Sequence, residues 1–114
     1  MTNNKSSEFS KEQQEFALTA KIFSHPARIA IVQLLAEKKE IKTGDISEYL
    51  PISRTTVTQH LKELSQLGVI KGTIEGLRIH YCLDMQRLDE IRKKYEAFFK
   101  STITSFFCEC ETKK

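Results

Sequence analysis

The chain has 114 residues, 39% of them hydrophobic and 29% charged, with four glycines, two prolines and no tryptophan. That length accommodates one domain with no separate catalytic domain beside it, and the composition is that of a folded globular protein, not of a disordered or collagenous one. The formal net charge of +3 is mild, but a dimer doubles it, which suits a polyanionic partner.

Residues Met1 to Ser10 are polar and contain no apolar h-region, so neither export nor membrane insertion is expected and the chain reads as cytoplasmic. Three cysteines, an odd number, fit reduced thiols better than a disulfide framework. Residues 1–9 read as a disordered tail, 10–108 as the folded domain and 109–114 as a flexible C-terminal tail.

The first helix is expected from Lys11 to about Phe23. Ser10-Lys11-Glu12-Gln13 fits a capping box, Phe9 stands at the staple position, and Phe16, Ala17, Ala20 and Phe23 recur at helical spacing. Ser24-His25-Pro26 interrupts it. Pro26 is tolerated in the first turn of a second helix, whose Ile29, Ile31, Val32, Leu34 and Leu35 make it apolar over more than half its circumference, as befits a central core helix. After a charged break from Glu37 to Glu40, Thr43 to Leu50 forms a short helix that Thr43 can cap and that buries Ile46, Tyr49 and Leu50; Pro51 stops it.

Ser53 then caps a helix over Arg54 to Leu67, in which Val57, Leu61, Leu64 and Leu67 form the apolar back and Gly68 the stop. Two helices joined by so short a turn make a helix-turn-helix. Beyond Gly68 the period drops to two: Val69 and Ile70, a turn at Glu75-Gly76, then Ile79, Tyr81 and Leu83 alternating with Arg78, His80 and Cys82. This is a β-hairpin wing. Asp84 can cap a last helix carrying Leu88, Ile91, Tyr95, Phe98, Phe99, Ile103, Phe106 and Phe107 at helical spacing for about six turns. The fold class is therefore mainly α with a small β-hairpin wing, a winged helix-turn-helix. So many apolar residues on one long helix exceed what so small a domain can cover, and a partner helix in a homodimer resolves the exposure.

Duplex recognition requires a helix with an anchored back and a polar front that reaches base edges in the major groove. The front of Arg54 to Leu67 presents Arg54, Thr55, Thr56, Thr58, Gln59, His60 and Lys62. Three threonines, weak helix formers, stand where Glu, Lys or Ala would be the default. Thr55, Thr56 and Gln59 are expected to read bases; Arg54 and Lys62 are expected on phosphates. His60 is open between packing inside the motif and touching DNA. In the wing, Lys71 and Arg78 are expected to flank the tip and reach the backbone or minor groove.

The segment Ile22-Phe23-Ser24-His25-Pro26-Ala27-Arg28-Ile29-Ala30-Ile31-Val32-Gln33-Leu34-Leu35, the helix Ser53-Arg54-Thr55-Thr56-Val57-Thr58-Gln59-His60-Leu61-Lys62-Glu63-Leu64, and the pieces Gly68-Val69-Ile70 and Arg78-Ile79-His80-Tyr81 resemble the ArsR/SmtB family of bacterial winged-helix repressors. The likeness runs from about Phe16 to Phe107. It implies a homodimer through the first and last helices, double-stranded operator DNA as partner, and release from the operator by a ligand.

The family's arsenic site is a Cys-x-Cys in the first helix of the helix-turn-helix. Here that stretch reads Glu40-Ile41-Lys42-Thr43-Gly44-Asp45-Ile46, with Lys42 and Gly44 where the thiols would stand. The zinc-type site of the last helix is missing as well, since no histidine follows His80. A different pair, Cys108-Glu109-Cys110, lies just beyond the expected dimer helix and, with Cys82, supplies thiolates for one soft ion. Arsenite is preferred over Zn(II) or Cd(II) as inducer, because three thiols without a well-placed histidine suit As(III) better than a tetrahedral ion. No resident cofactor is required. Redox or reactive-sulfur sensing by the same thiols, a tail whose thiols do nothing, and a winged helix that binds protein instead of DNA remain the alternatives; an enzyme is disfavoured because no nucleophile set, phosphate-cradling loop or paired-carboxylate cleft is present.

Overall fold

The computed structural model describes residues 8–112, with side chains as far as Cys108. The first helix, α1 (Lys11–Thr19), starts in the expected capping box: the Gln13 backbone N–H donates to Ser10 Oγ at 3.0 Å and the Ser10 N–H donates to Gln13 Oε1 at 3.0 Å. It tightens into a 3₁₀ turn over Ala20–Phe23. The core helix α2 (Pro26–Lys38) has Pro26 at its start and His25 as its cap, whose Nδ1 accepts from the Ala27 N–H at 3.0 Å. It ends on Lys39, held at a positive φ of 73°.

The next strand, β1 (Ile41–Lys42), was not foreseen, and it pairs antiparallel with the return strand of the wing, Ile41 opposite Tyr81. The short α3 (Thr43–Ile46) passes into a 3₁₀ turn at Ser47–Tyr49. Two expectations fail here. Thr43 does not cap α3, because its hydroxyl donates instead to the Ile79 carbonyl at 3.0 Å and so ties the helix to the wing. Tyr49 is exposed, with the Lys38 ammonium 5.4 Å from its ring centre.

The helix α4 (Arg54–Gln66) begins as expected, Ser53 Oγ accepting from the Thr56 N–H at 3.2 Å, and stops at Gly68, whose φ of 81° is a conformation that favours glycine. The wing consists of β2 (Ile70–Glu75) and β3 (Arg78–Leu83), in strand order β1-β3-β2. Its turn is Gly76-Leu77, one residue later than the spacing suggested. Asp84 caps the last helix, α5 (Met85–Thr112), by accepting from the Arg87 N–H at 3.1 Å. At 28 residues α5 is about 42 Å long and runs past residue 109, where the expected flexible tail was drawn.

One core holds these elements together. Ile22, Ile31, Leu35, Ile46, Leu61 and Leu64 are fully buried, joined by Val57 and Val69, each contributing roughly 1.5–3 kcal/mol by removal from water. Only the first part of α5 joins in, through Ile91 in the core and Leu88 and Tyr95 against it. Tyr95 stacks on Phe16 at 4.0 Å between ring centres, its hydroxyl lies 2.9 Å from the buried Thr19 hydroxyl, and Lys94 Nζ pairs with Glu15 at 2.7 Å. Beyond Tyr95 the apolar residues Phe98, Phe99, Ile103, Phe106 and Phe107 are exposed. No helix among the described residues is long and apolar enough to cross a membrane.

Candidate nucleic-acid interface

The apolar spacing of α4 decides which of its side chains are free. Val57, Leu61 and Leu64 face the core, and the opposite side presents Arg54, Thr55, Thr56, Thr58, Gln59 and Lys62 to solvent. These exposed groups are not equally available. The Thr56 hydroxyl is shared with the cap, 3.0 Å from Ser53 Oγ; Thr58 Oγ1 donates to the Arg54 carbonyl at 3.0 Å; Gln59 Nε2 donates to Glu63 at 3.2 Å. Arg54, Thr55 and Lys62 have no side-chain hydrogen bond or ion pair among the described residues. They are the groups with unspent capacity.

His60 belongs to the inner face. It is buried, Arg28 Nε donates to its Nδ1 at 3.2 Å, and its ring packs on His25 at 4.5 Å. Of the two roles the sequence left open, packing is the one observed. An imidazole that accepts at Nδ1 carries its proton on Nε2 and is neutral. Burial, with the neighbouring His25 and Arg28, lowers the affinity of His60 for a second proton below the ordinary histidine value. Arg28 is the residue that sequence reasoning missed: it also donates to the Lys21 carbonyl at 2.7 Å and pairs with Glu63, so one guanidinium joins the 3₁₀ turn after α1, the start of α2 and the middle of α4. The available signal was a lone cation on a stretch from Pro26 to Leu35 whose one other polar residue is Gln33.

In the wing, Arg78 opens β3 beside the turn and is exposed, with no ion pair among the described residues. Lys71 is not at the tip. It pairs with Cys82 four rungs down the ladder, and its ammonium lies 3.5 Å from Asp84 at the wing root. That ammonium, after the Arg87 backbone N–H, helps hold the Asp84 carboxyl below the ordinary aspartate value. Arg54, Arg78 and Lys42 line a shared groove between α3 and the wing, together with Asp45 and Glu48. His80, on the polar face of the sheet, lies 2.8 Å from Glu40 and 3.1 Å from Glu75.

The three cysteines are not brought together. Cys82 is half-buried on β3, whereas Cys108 is exposed on α5, 23 residues and about 35 Å beyond the start of that helix. The Cys110 side chain lies outside the described residues. Among the described residues no group of three or more His, Cys, Asp or Glu side chains is placed to hold a metal ion.

A profile of bacterial regulatory proteins of the arsR family matches residues 25–71, from the cap of α2 into β2. The transcriptional repressor PagR of Bacillus anthracis is 32% identical over 73 residues, 64% of this chain and 73% of that protein. A cadmium resistance transcriptional regulatory protein CadC homolog from Staphylococcus aureus is 28% identical over 80 residues, 70% of this chain and 66%, just under two thirds, of the relative's length. An ArsR-like transcriptional regulator from Rhodococcus sp. RHA1 superposes with a TM-score of 0.76 over 90% of this chain and 95% of that one; at 19% identity it attests the fold alone. The helix-turn-helix, the wing and these relatives agree: the chain belongs to the ArsR family of bacterial regulatory proteins and is a DNA-binding transcriptional regulator.

Proposed function

We propose that the chain is a homodimeric transcriptional repressor that holds operator DNA with α4 and the wing and leaves it when a thiophilic metalloid or metal engages its C-terminal cysteines. The observation that carries the DNA-binding half is the exposed front of α4, where Arg54, Thr55 and Lys62 keep their hydrogen-bonding capacity unspent beside the equally unpaired Arg78 of the wing. Cations there contact phosphates and give salt-dependent affinity, while the short polar side chains meet base edges. The name of the PagR relative, a transcriptional repressor, supports repression.

Dimerisation is supported by the second half of α5, where Phe98, Phe99, Ile103, Phe106 and Phe107 are exposed in a single chain. A second copy of α5 and α1 buries that stripe. For the inducer, the Cys108-Glu109-Cys110 spacing supports a soft ion, with arsenite first and Cd(II) or Zn(II) behind it; the cadmium-resistance relative keeps Cd(II) in consideration. Cys82 stands on the wing strand that precedes α5, whereas Cys108 lies about 35 Å along that helix, so we draw the third thiolate from the partner subunit. Redox or reactive-sulfur sensing is the second reading, favoured by the exposure of Cys108. Titrating the reduced protein, bound to a labelled duplex selected from a random-sequence library, with arsenite, Cd(II), Zn(II) and a persulfide donor separates them. Release by arsenite or a metal ion at concentrations that leave the thiols unoxidised supports the first; release only by the persulfide supports the second.

A further inference from the structure

The wing has two chemically different faces. Ile70, Gly72 and Ile74 pair with Leu83, Tyr81 and Ile79 on one, and Lys71, Thr73 and Glu75 pair with Cys82, His80 and Arg78 on the other. Near the root the apolar face is buried, Ile70 in the core and Tyr81 against it. Past Gly72, where a Cβ would sit only 3.0 Å from the Tyr81 ring and 3.1 Å from Ile79, the hairpin leaves the body of the domain. Its apolar face nevertheless continues. Ile74 is 75% exposed, Ile79 is partly exposed, and Leu77 stands fully exposed in the turn itself.

Neither packing nor turn geometry accounts for Leu77. Gly76 supplies the one positive φ of the turn, 63°, and Leu77 has none, so the second loop position accepts almost any residue and ordinarily holds a small polar one. The surroundings carry more cations than carboxylates: Arg78 follows directly, and the groove behind the tip, which Leu77 itself lines, sets Arg78, Arg54 and Lys42 against Asp45 and Glu48, beside the exposed front of α4. Glu75, the nearest carboxylate on the wing, is directed to His80 at 3.1 Å. An apolar point followed directly by Arg78, beside a groove in which cations outnumber carboxylates, matches duplex DNA, whose phosphates meet the cations while its stacked base edges meet the point.

We propose that Leu77, backed by Ile74 and Ile79, is a wedge that enters the minor groove beside the site read by α4, partly unstacks one base step and bends the duplex. The wedge favours pyrimidine–purine steps, which unstack most easily, and so adds sequence preference where no base-edge hydrogen bond is made. This rests on the DNA-binding reading of α4 and the wing.

The test uses the full-length chain and a duplex it selects from a random-sequence library, end-labelled for energy transfer. The parent should bend this duplex, and replacing the pyrimidine–purine step under the wing with an A-tract should weaken binding on the order of tenfold. Leu77→Ala should lose the bend and that preference while keeping the parent's salt slope, because no phosphate contact is removed; Leu77→Met should retain both. Arg78→Ala should instead lower the salt slope by about one. Since Leu77 is fully exposed, both Leu77 variants should melt as the parent does. If Leu77→Ala bends and discriminates like the parent while Arg78→Ala weakens binding, the wedge is overturned and DNA binding stands. If the Leu77 substitution changes only the sedimentation of the free protein, the tip contacts a second copy and the wedge is likewise overturned. Absence of salt-dependent duplex binding by the parent overturns the underlying reading itself.

Discussion

Arg28 Nε donates to Nδ1 of His60 at 3.2 Å, and through this bond the first turn of the core helix holds the middle of α4. The same guanidinium reaches the Lys21 carbonyl and the Glu63 carboxylate, so three elements depend on one side chain that is largely out of water. Replacing Arg28 with methionine keeps the aliphatic stem but leaves these acceptors without their donor. A loss of about 1–3 kcal/mol in unfolding free energy is expected, read from the denaturant midpoint. An unchanged midpoint would show that Arg28 holds nothing in place.

His60 gives this network a pH dependence whose sign follows from its environment. Burial first, then His25 and Arg28, lower its proton affinity in the folded state, so the unfolded chain binds a proton more readily. The stability that neutral His60 contributes is complete above the ordinary histidine value near 6.5 and is lost as pH falls through that value toward the lower folded one. Melting temperature should therefore drop between about pH 7.5 and about pH 5, a window that spans the ordinary value, and His60→Gln should flatten the drop even though it lowers stability overall. A His60→Gln slope equal to the parent's would show that His60 does not set the drop.

The exposed stripe on α5 predicts the oligomeric state. Ile103→Glu combined with Phe106→Glu alters residues that are 53% and 63% exposed in the single chain, so the fold should survive. Sedimentation should then report a monomer where the parent sediments as a dimer. Affinity for a two-half-site duplex should fall by about a hundredfold, because two linked reading heads become one. A parent that is already monomeric, or a variant that remains dimeric, contradicts the pairing of α5 helices.

The thiol proposal is separable from DNA binding. Cys108→Ser and Cys110→Ser should each bind the duplex like the parent but no longer release it on arsenite addition. Cys82→Ser should bind the duplex like the parent and release it poorly, since Cys82 supplies the third thiolate across the two subunits; normal release would confine the site to the C-terminal thiols. Normal release by both C-terminal variants would place the sensor elsewhere.

Much of this architecture is local chemistry and could be read directly. Ser10 with Gln13, Ser53, Gly68 and Asp84 mark helix ends because each satisfies backbone groups within a few residues of itself. What escaped was set by distant partners. β1 is two residues long and exists because Tyr81 and His80 lie beside it; Thr43 gives up its cap for the Ile79 carbonyl. Lys71 looked like a tip residue until the register put it opposite Cys82. His60 was half legible, since it stands three residues after Val57 and four before Leu64, within the apolar stripe, and its polarity alone suggested the outer face. The length of α5 was underestimated because its polar end offers no stop signal such as glycine or proline.

The central claim is that α4 and the wing grip duplex DNA through unpaired cations, and the salt dependence of binding tests it most directly. Fluorescence anisotropy of a selected duplex should give log affinity falling linearly with log salt concentration. Arg54→Ala and Arg78→Ala should each lower the slope by about one, while Lys71→Ala, whose partner is Asp84, should change it less. Binding that is independent of salt, or a slope that none of the three substitutions alters, would contradict the account.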